Sequence, residues 1–429
     1  MYTNLKGKKV LLYTLGCKVN QYESDAMLEA LLEAGCTRHE EGETADICII
    51  NTCSVTNMAD RKSRQMINRL RKQNPNAIIA ATGCYVQIAG DSLLDNGLID
   101  LVIGNNRKKD VVRLLDEYIS TGTVNDNYID VNKDPEYENL SIEKPETHTR
   151  AYVKIQDGCN EFCSYCIIPY ARGRIKSKKL IDITAEVDTL AKNGTKEIIL
   201  TGINVSAYED SGLGLKDVIK RLSKIDGIER IRLSSMDPRI VTKDFLDTVS
   251  KLPNFCPHFH LSLQSACNKT LKAMNRKYTI EEYKAACELI RSYFDRPAIT
   301  TDIIVGFPGE TDADFEDTYK NLVELNLYEM HVFKYSRRKG TVADKMPDQV
   351  DEQIKTERSN RLLELSAKNK AAFEKLFEGE KQDVLIEELV TIRNKKYYRG
   401  HTMRYVLIDI PESDLPTLKD GQSYINKIV

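Results

Sequence analysis

Short apolar runs of strand length, each ending in a polar or glycine turn and followed by a helix-like segment, recur along this chain and restrict its fold more than any other feature. Three stand near the amino terminus: Lys9-Val-Leu-Leu-Tyr-Thr-Leu-Gly, Asp46-Ile-Cys-Ile-Ile-Asn-Thr and Ala77-Ile-Ile-Ala-Ala-Thr-Gly. Strands that alternate with helices predict an open parallel sheet, where ligands bind beyond the carboxyl ends of the strands. Cys17, Cys53 and Cys84 each follow one of these runs, so the three thiols are expected on one rim. The residues alone leave two readings of them open, a metal site and ordinary buried cysteines.

A second triplet is compact. Asp157-Gly-Cys-Asn-Glu-Phe-Cys-Ser-Tyr-Cys-Ile places Cys159, Cys163 and Cys166 on one short loop. A closed zinc site needs a fourth Cys or His, and none has comparable spacing. On a [4Fe-4S] cluster the same three thiolates leave one iron free for a small ligand. The order Cys-x3-Cys-x2-Cys, with Tyr165 before the last cysteine, is similar to the radical S-adenosylmethionine (SAM) enzymes. The resemblance implies that the open iron chelates the amino and carboxylate groups of SAM, whose reductive cleavage gives a 5'-deoxyadenosyl radical.

Alternation continues beyond that loop. Strands are expected at Tyr152–Ile155, Glu197–Thr201, Arg230–Ser234, His258–Leu263, Thr300–Val305 and Met330–Tyr335, with the clearest helices at Ile280–Phe294 and Asp312–Leu325. Six such repeats resemble the partial (β/α)6 barrel of the radical SAM family, a relative of the full barrel that carries its chemistry at the strand carboxyl ends. Polar and glycine-bearing segments gather where those ends are expected: 201–204, 234–238, 263–266, 302–310 and 335–341. After a helix-rich stretch, Asp351–Phe377, short strands at Asp383–Glu388, Tyr405–Ile410 and Ser423–Val429 suggest a small β-barrel. The fold class is therefore α/β: an open parallel domain at 8–119, a polar linker at 120–149, a partial barrel at 150–370 and a small β-barrel at 371–429.

Composition bounds the function classes. The 429 residues suffice for two or three domains without covalent staples, and the 41% hydrophobic fraction is that of an ordinary globular protein. Eleven cysteines without a basic-then-apolar leader argue against a secreted disulfide protein and for a reducing cytoplasm. No apolar run has membrane-spanning length. The net charge of −2 does not by itself suggest a nucleic-acid partner. Two local runs exist, Arg61–Lys72 just beyond Cys53 and Arg172–Lys179 just beyond Cys166; each alone reads as a solvated charged face, and their placement beside the cysteines favours steering of phosphates.

Taken together the motifs resemble the radical SAM methylthiotransferase family over nearly the whole chain. They are Leu15-Gly-Cys-Lys-Val-Asn-Gln-Tyr-Glu-Ser24, Asn51-Thr-Cys-Ser-Val-Thr56, Gly83-Cys84, Gly158–Arg174 and Thr301-Asp-Ile-Ile-Val-Gly-Phe-Pro-Gly-Glu-Thr311. The resemblance implies two [4Fe-4S] clusters, an auxiliary one on Cys17, Cys53 and Cys84 and a radical-forming one on Cys159, Cys163 and Cys166. It also implies SAM contacts from Tyr165, Gly202, Gln264, Arg276, Gly306 and Pro308, and a carboxyl-terminal RNA-binding TRAM domain. In the implied reaction the radical removes hydrogen from C2 of an adenine, and the auxiliary cluster presents a sulfur that a further SAM has methylated. The electron donor and sulfur source would be separate molecules.

Three branches of the family compete. The Gly-Cys-Lys-Val-Asn-Gln-Tyr-Glu-Ser run resembles the branch acting on N6-threonylcarbamoyladenosine in tRNA. The alternatives are the branch acting on N6-isopentenyladenosine in tRNA and the one acting on ribosomal protein S12. A different class, an RNA-binding protein with structural metal, remains as a further alternative. The tail segment Tyr397–Tyr405 offers aromatics and cations suited to RNA, or to barrel packing. Residues 371–429 carry nine Lys or Arg against ten Asp or Glu, so that domain is not basic overall.

Overall fold

The three amino-terminal runs stand side by side at the centre of a five-stranded parallel sheet in a computed structural model of the chain. The structure describes residues 3–54, 56–90, 93–94, 97–125, 127–128, 130–134, 136–145, 149–416 and 423–429. Val55 of the Asn51–Thr56 motif, parts of the expected linker and residues 417–422 of the expected last domain lie outside the described residues.

Strands β1 (Lys9–Thr14), β3 (Ile47–Thr52) and β4 (Ile78–Gly83) are flanked by edge strands β2 (Thr37–Arg38) and β5 (Leu101–Val102), in the order β2-β1-β3-β4-β5. The edges escape a sequence reading because each is only two residues long, too short for any alternation. Helices α1 (Lys18–Glu33) and α4 (Val111–Thr121) cover one face, packing Met27, Leu31, Leu114 and Leu115 on Ile47 and Ile49. The other face takes Ile67 and Leu70 of α2 (Asn57–Gln73) against Cys48 and Ile50. Covered on both sides, β3 is buried along its whole length and reads as an unbroken apolar run. A short helix, α3 (Cys84–Ala89), leaves directly from the end of β4.

The second unit holds the six expected strands: β6 (Ala151–Lys154), β9 (Glu197–Thr201), β12 (Arg230–Leu233), β13 (His258–His260), β14 (Ala298–Val305) and β15 (Glu329–Lys334). All pair in parallel, in trios β12-β9-β6 and β13-β14-β15, and the parallel bridges Ile231 to Phe255 and Met236 to Leu261 join the trios. The result is one open, curved sheet of six strands. Two antiparallel ribbons, β7 (Gln156–Asp157) with β8 (Lys176–Ser177) and β10 (Glu209–Asp210) with β11 (Leu213–Gly214), decorate its first half. Helices α6 (Leu180–Lys192), α7 (Leu215–Leu222), α8 (Lys243–Val249), α10 (Ile280–Tyr293), α11 (Asp312–Leu325) and α12 (Glu352–Lys375) separate or follow the strands, while α5 (Ile168–Arg172) and α9 (Asn268–Ala273) are single turns beside the cysteine loop. Helices α10 and α11 open with capping boxes, Thr279 with Glu282 and Thr311 with Asp314, which is why their starts read cleanly from sequence.

The tail is an antiparallel sheet of β16 (Val384–Ile392), β17 (Lys395–Thr402) and β18 (Leu407–Pro411). Its first hairpin turns on Arg393 and Asn394, both at positive φ (48° and 62°) as a two-residue turn requires. Strand β17 was not among the expected strands, since an Arg-Asn turn and polar strand residues carry no apolar alternation. Tyr405 sits at φ 66° outside any strand, so the expected Tyr405–Ile410 strand begins late. The closing segment pairs through one bridge, Leu385 to Ile428.

This small sheet docks on the amino-terminal ends of the barrel strands. Arg230 donates to the carbonyls of His401 and Asp383, and Arg232 to those of Met403 and Thr402. Tyr405 stacks on His401 (4.3 Å between centroids) and His258 (5.1 Å), with the guanidinium groups of Arg232 and Arg150 4.9 and 5.0 Å from its ring centre. The barrel thus has an aromatic floor.

Candidate active site

The compact cysteine loop follows β6 and is clamped on both sides. Gly158, at φ 69°, lies so close to Arg174 that a Cβ would stand 1.9 Å from its carbonyl oxygen, so only glycine lets the loop close there. Asn275 donates to the carbonyls of Glu161 and Phe162, and Ser164 Oγ to that of Ala273. Cys159, Cys163 and Cys166 share a cavity of about 190 Å³ with Tyr165, Gln264 and Arg276. Arg276 donates through Nη1 to Cys163 Sγ (3.2 Å) and through Nε to Tyr278 Oη (2.9 Å). Of the remaining expected SAM contacts, Gly202 packs on Gln156 just before the lining residues Ile203 and Asn204. Gly306 and Pro308 stand apart from this lining; Phe307 between them packs edge-on against Tyr165 (6.4 Å) from behind.

Sequence reasoning did not single out Glu161 or Asp237 of this wall. Arg239 ties them together, donating to Glu161 at 2.7 Å and to Asp237 at 2.7 Å. The signal was present, since Glu161 falls between two cysteines and Asp237 lies in a segment at a strand end.

The dispersed cysteines do meet at the carboxyl ends of β1, β3 and β4. Gly16 sits against Cys53, where an added Cβ would be 3.0 Å from Sγ. Gly83, at φ 96°, packs so tightly on β3 that a Cβ would come 2.2 Å from the Thr52 carbonyl oxygen; this closeness draws the first turn of α3, with Cys84, toward Cys53. Cys17 and Cys84 are linked through one side chain from the other domain. Arg172 donates through Nε to Cys84 Sγ (3.3 Å) and through Nη2 to Asn20 Oδ1 (2.8 Å), which also faces Cys17 Sγ at 3.8 Å.

Arg172 belongs to a buried hub. Glu23 accepts from Arg172 (2.7 Å) and Lys154 (2.7 Å) and pairs with Lys108 (3.2 Å), while Asp157 takes Lys154 (2.6 Å) and Arg172 (3.1 Å). Burial alone would raise the Glu23 pKa, but Arg172, Lys108 and Lys154 outweigh it and hold the carboxyl well below the usual range. The expected phosphate-steering run Arg172–Lys179 is corrected at two positions only, since Arg174 and Lys179 are exposed. Arg172 and Lys178 are buried, the latter on Glu186 at 2.7 Å, because the run crosses the domain junction and its carboxylates. In the other run, Arg61, Lys62, Arg64, Arg69 and Lys72 of α2 are exposed.

Neither triplet is drawn in as a single tetrahedral ion requires. A tetrahedral zinc with bonds of about 2.3 Å draws its sulfurs within about 4 Å of one another. Among the described residues the group of Cys, His, Asp and Glu donors within 4.8 Å of one another is His260, Asp302 and His331; neither cysteine triplet is drawn in so closely. Burial raises the thiol pKa of Cys17 and Cys159 and pushes that of Cys166 up to about 12, so these sulfurs ionise when a metal supplies the counter-charge.

A second cavity of about 240 Å³ adjoins the first. Tyr165 and Gln264 line it as well as the first, and its other walls include Thr56, Asp302, Ile304 and Phe333. Thr56 follows Cys53 closely, so the chamber has a wall from each domain. Asn57 donates to Ser336 Oγ (3.2 Å) and to the Arg337 carbonyl, and Arg338 pairs with Asp60 (3.0 Å), which fixes the two walls together.

The Radical SAM superfamily profile matches residues 153–322, and a profile described as uncharacterized protein family UPF0004 matches residues 9–104. Among solved structures, the radical S-adenosylmethionine methyltransferase TsrM from Kitasatospora setae is similar in fold, with a TM-score of 0.59, 79% of this chain and 77% of that chain covered, and 15% identity. Barrel, cysteine loop and profile define a radical SAM protein. The threonylcarbamoyladenosine tRNA methylthiotransferase MtaB of Bacillus subtilis is 36% identical over 98% of this chain and 92% of its own. The tRNA-2-methylthio-N(6)-dimethylallyladenosine synthase of Thermodesulfovibrio yellowstonii is 36% identical over 89% of each. The chain belongs to the radical SAM methylthiotransferase family.

Proposed function

We propose that this enzyme methylthiolates C2 of N6-threonylcarbamoyladenosine next to the anticodon (position 37) of tRNA, using two SAM molecules, one as radical source and one as methyl donor. The observation that carries the reading is the chamber whose walls come from both domains, Tyr165 beside one triplet and Thr56 beside the other. An adenine held there lies between a site that makes a radical and a site that delivers sulfur. The clusters would supply the chemistry no side chain can, reductive cleavage of SAM at Cys159, Cys163 and Cys166 and sulfur transfer at Cys17, Cys53 and Cys84. The protein's own part is position: Arg276 and Asn204 shape the SAM wall, and Phe333, 47% exposed at the chamber, offers a face for the base. An adenosine in a single-stranded anticodon loop unstacks at a cost of a few kcal/mol and can enter such a cleft.

The exposed cations of α2 begin beside this chamber and suit the tRNA backbone. No helix among the described residues is long and apolar enough to cross a membrane. A cytoplasmic setting, with separate electron and sulfur donors, completes the proposal. Relatives bearing the two tRNA names are equally similar at 36%, so the choice of branch rests on the Gly16–Ser24 run. Mass spectrometry of tRNA nucleosides from cells lacking the protein tests it. Loss of 2-methylthio-N6-threonylcarbamoyladenosine is expected; loss of the isopentenyl analogue instead, or of neither, rejects the branch. Anaerobic reconstitution should give about eight irons per chain, and about four, or zinc, rejects the two-cluster arrangement.

A further inference from the structure

Strands β13, β14 and β15 pair in parallel, with His260 opposite Thr300 and Asp302 opposite His331. Side chains alternate along a strand, and Phe259, Ile303 and Met330 of these strands belong to the core shared with the helices. Their neighbours His260, Asp302 and His331 therefore point to the other face, into the barrel. Ile304 and Phe333 share that face, and with Asp302 they line the chamber of about 240 Å³. Two imidazoles and a carboxylate thus converge from three adjacent strands.

Their donor atoms all lie within 4.8 Å of one another, and His260 Nε2 is 3.3 Å from the Asp302 carboxylate. Donors bound to one ion at about 2.1 Å stand about 3.0–3.5 Å apart, so this pair is already spaced for it. His260 Nδ1 bonds Thr300 Oγ1 at 2.9 Å, which orients the ring and leaves Nε2 for an ion. A ligating histidine ordinarily has its second nitrogen held in this way. His331 is exposed, makes no hydrogen bond or ion pair among the described residues, and has its ring 5.7 Å from that of His260. No protein contact of that kind keeps it from moving the short distance that completes the set.

We propose that His260, Asp302 and His331 hold one divalent transition-metal ion, of the zinc or ferrous class, in addition to the iron of the clusters. Two imidazoles with one carboxylate suit zinc, iron, cobalt or nickel, and are a poor site for magnesium or calcium, which take oxygen ligands. Three protein ligands leave the shell open, so the ion keeps positions for water or an oxygen-bearing ligand, and Asp302 sets them at the chamber. The site draws on none of the six cysteines and stands whatever number of clusters the protein holds.

The test uses the full-length protein with its clusters reconstituted anaerobically and loose metal removed, so that the cysteines are already occupied. Equilibrium dialysis against zinc, read by elemental analysis, should give about one zinc per chain above the cluster iron. X-ray absorption at the zinc edge should show nitrogen and oxygen neighbours at about 2.0–2.1 Å and no sulfur. His331→Gln, at an exposed position, should keep the circular dichroism and the iron content while weakening zinc binding by about 100-fold, since loss of even a partner behind a ligand costs about 10- to 100-fold. Asp302→Asn, which removes the charge and keeps the shape, should weaken it likewise. Absence of zinc beyond the clusters, zinc with sulfur neighbours, or native affinity in either variant overturns the proposal.

Discussion

The two cysteine triplets are held by different means. Cys159, Cys163 and Cys166 sit on one loop whose clamps, Asn275 and Ser164, lie in the same barrel. Cys17, Cys53 and Cys84 come from three strand ends, and the side chain that links two of them, Arg172, arrives from the other domain. The compact site is therefore gathered on one loop, whereas the dispersed one is carried by three strand ends of the first sheet and receives an arginine from the other domain.

The largest test of this contrast is the loss of a ligand on each side. Cys84→Ala should bring iron from about eight to about four per chain and abolish methylthiolated product while 5'-deoxyadenosine is still formed; Cys163→Ala should abolish both. A C84A protein that no longer cleaves SAM would break the separation. Next comes Glu23→Gln, which leaves Arg172, Lys154 and Lys108 without their shared carboxylate. Unfolding in urea should show a loss of about 3–5 kcal/mol, with iron at the dispersed site lost first. Smaller is Arg276→Gln, which removes a cationic donor from Cys163 Sγ. The compact cluster should keep its iron but become harder to reduce by about 60 mV, read by potentiometric titration. The smallest effect expected is that of Lys62→Ala on the exposed face of α2. It should weaken tRNA binding only modestly and reduce the slope of log affinity against log salt by about 1, whereas an unchanged slope removes α2 from the RNA surface.

Legibility in the sequence followed the same division. The compact loop and the six barrel strands could be read because their information is contiguous: Glu197–Thr201 is an apolar run, and Thr279 with Glu282 announces α10 by itself. The rim holding Cys17, Cys53 and Cys84 was legible as strand ends, but not the Asn20 and Arg172 that link two of them, since no local pattern pairs residues 152 positions apart. For the same reason Arg172 and Lys178 looked like surface charge; their partners Glu23 and Glu186 are distant in sequence or hidden in a helix. Strand β17 was missed because its partners are long-range and its residues polar. Gly306 and Pro308 were expected from a motif, and they flank Phe307, whose ring packs on Tyr165.

The aromatic floor formed by Tyr405 bears on traffic through the protein. With the strand amino-terminal ends closed by Tyr405, His401 and His258, the barrel is a cup and not a pipe. The carboxyl-terminal sheet thus bars that end of the barrel as a way in or out. A chain shortened after α12 would expose Arg230, Arg232 and His258 to water and leave that end of the barrel open.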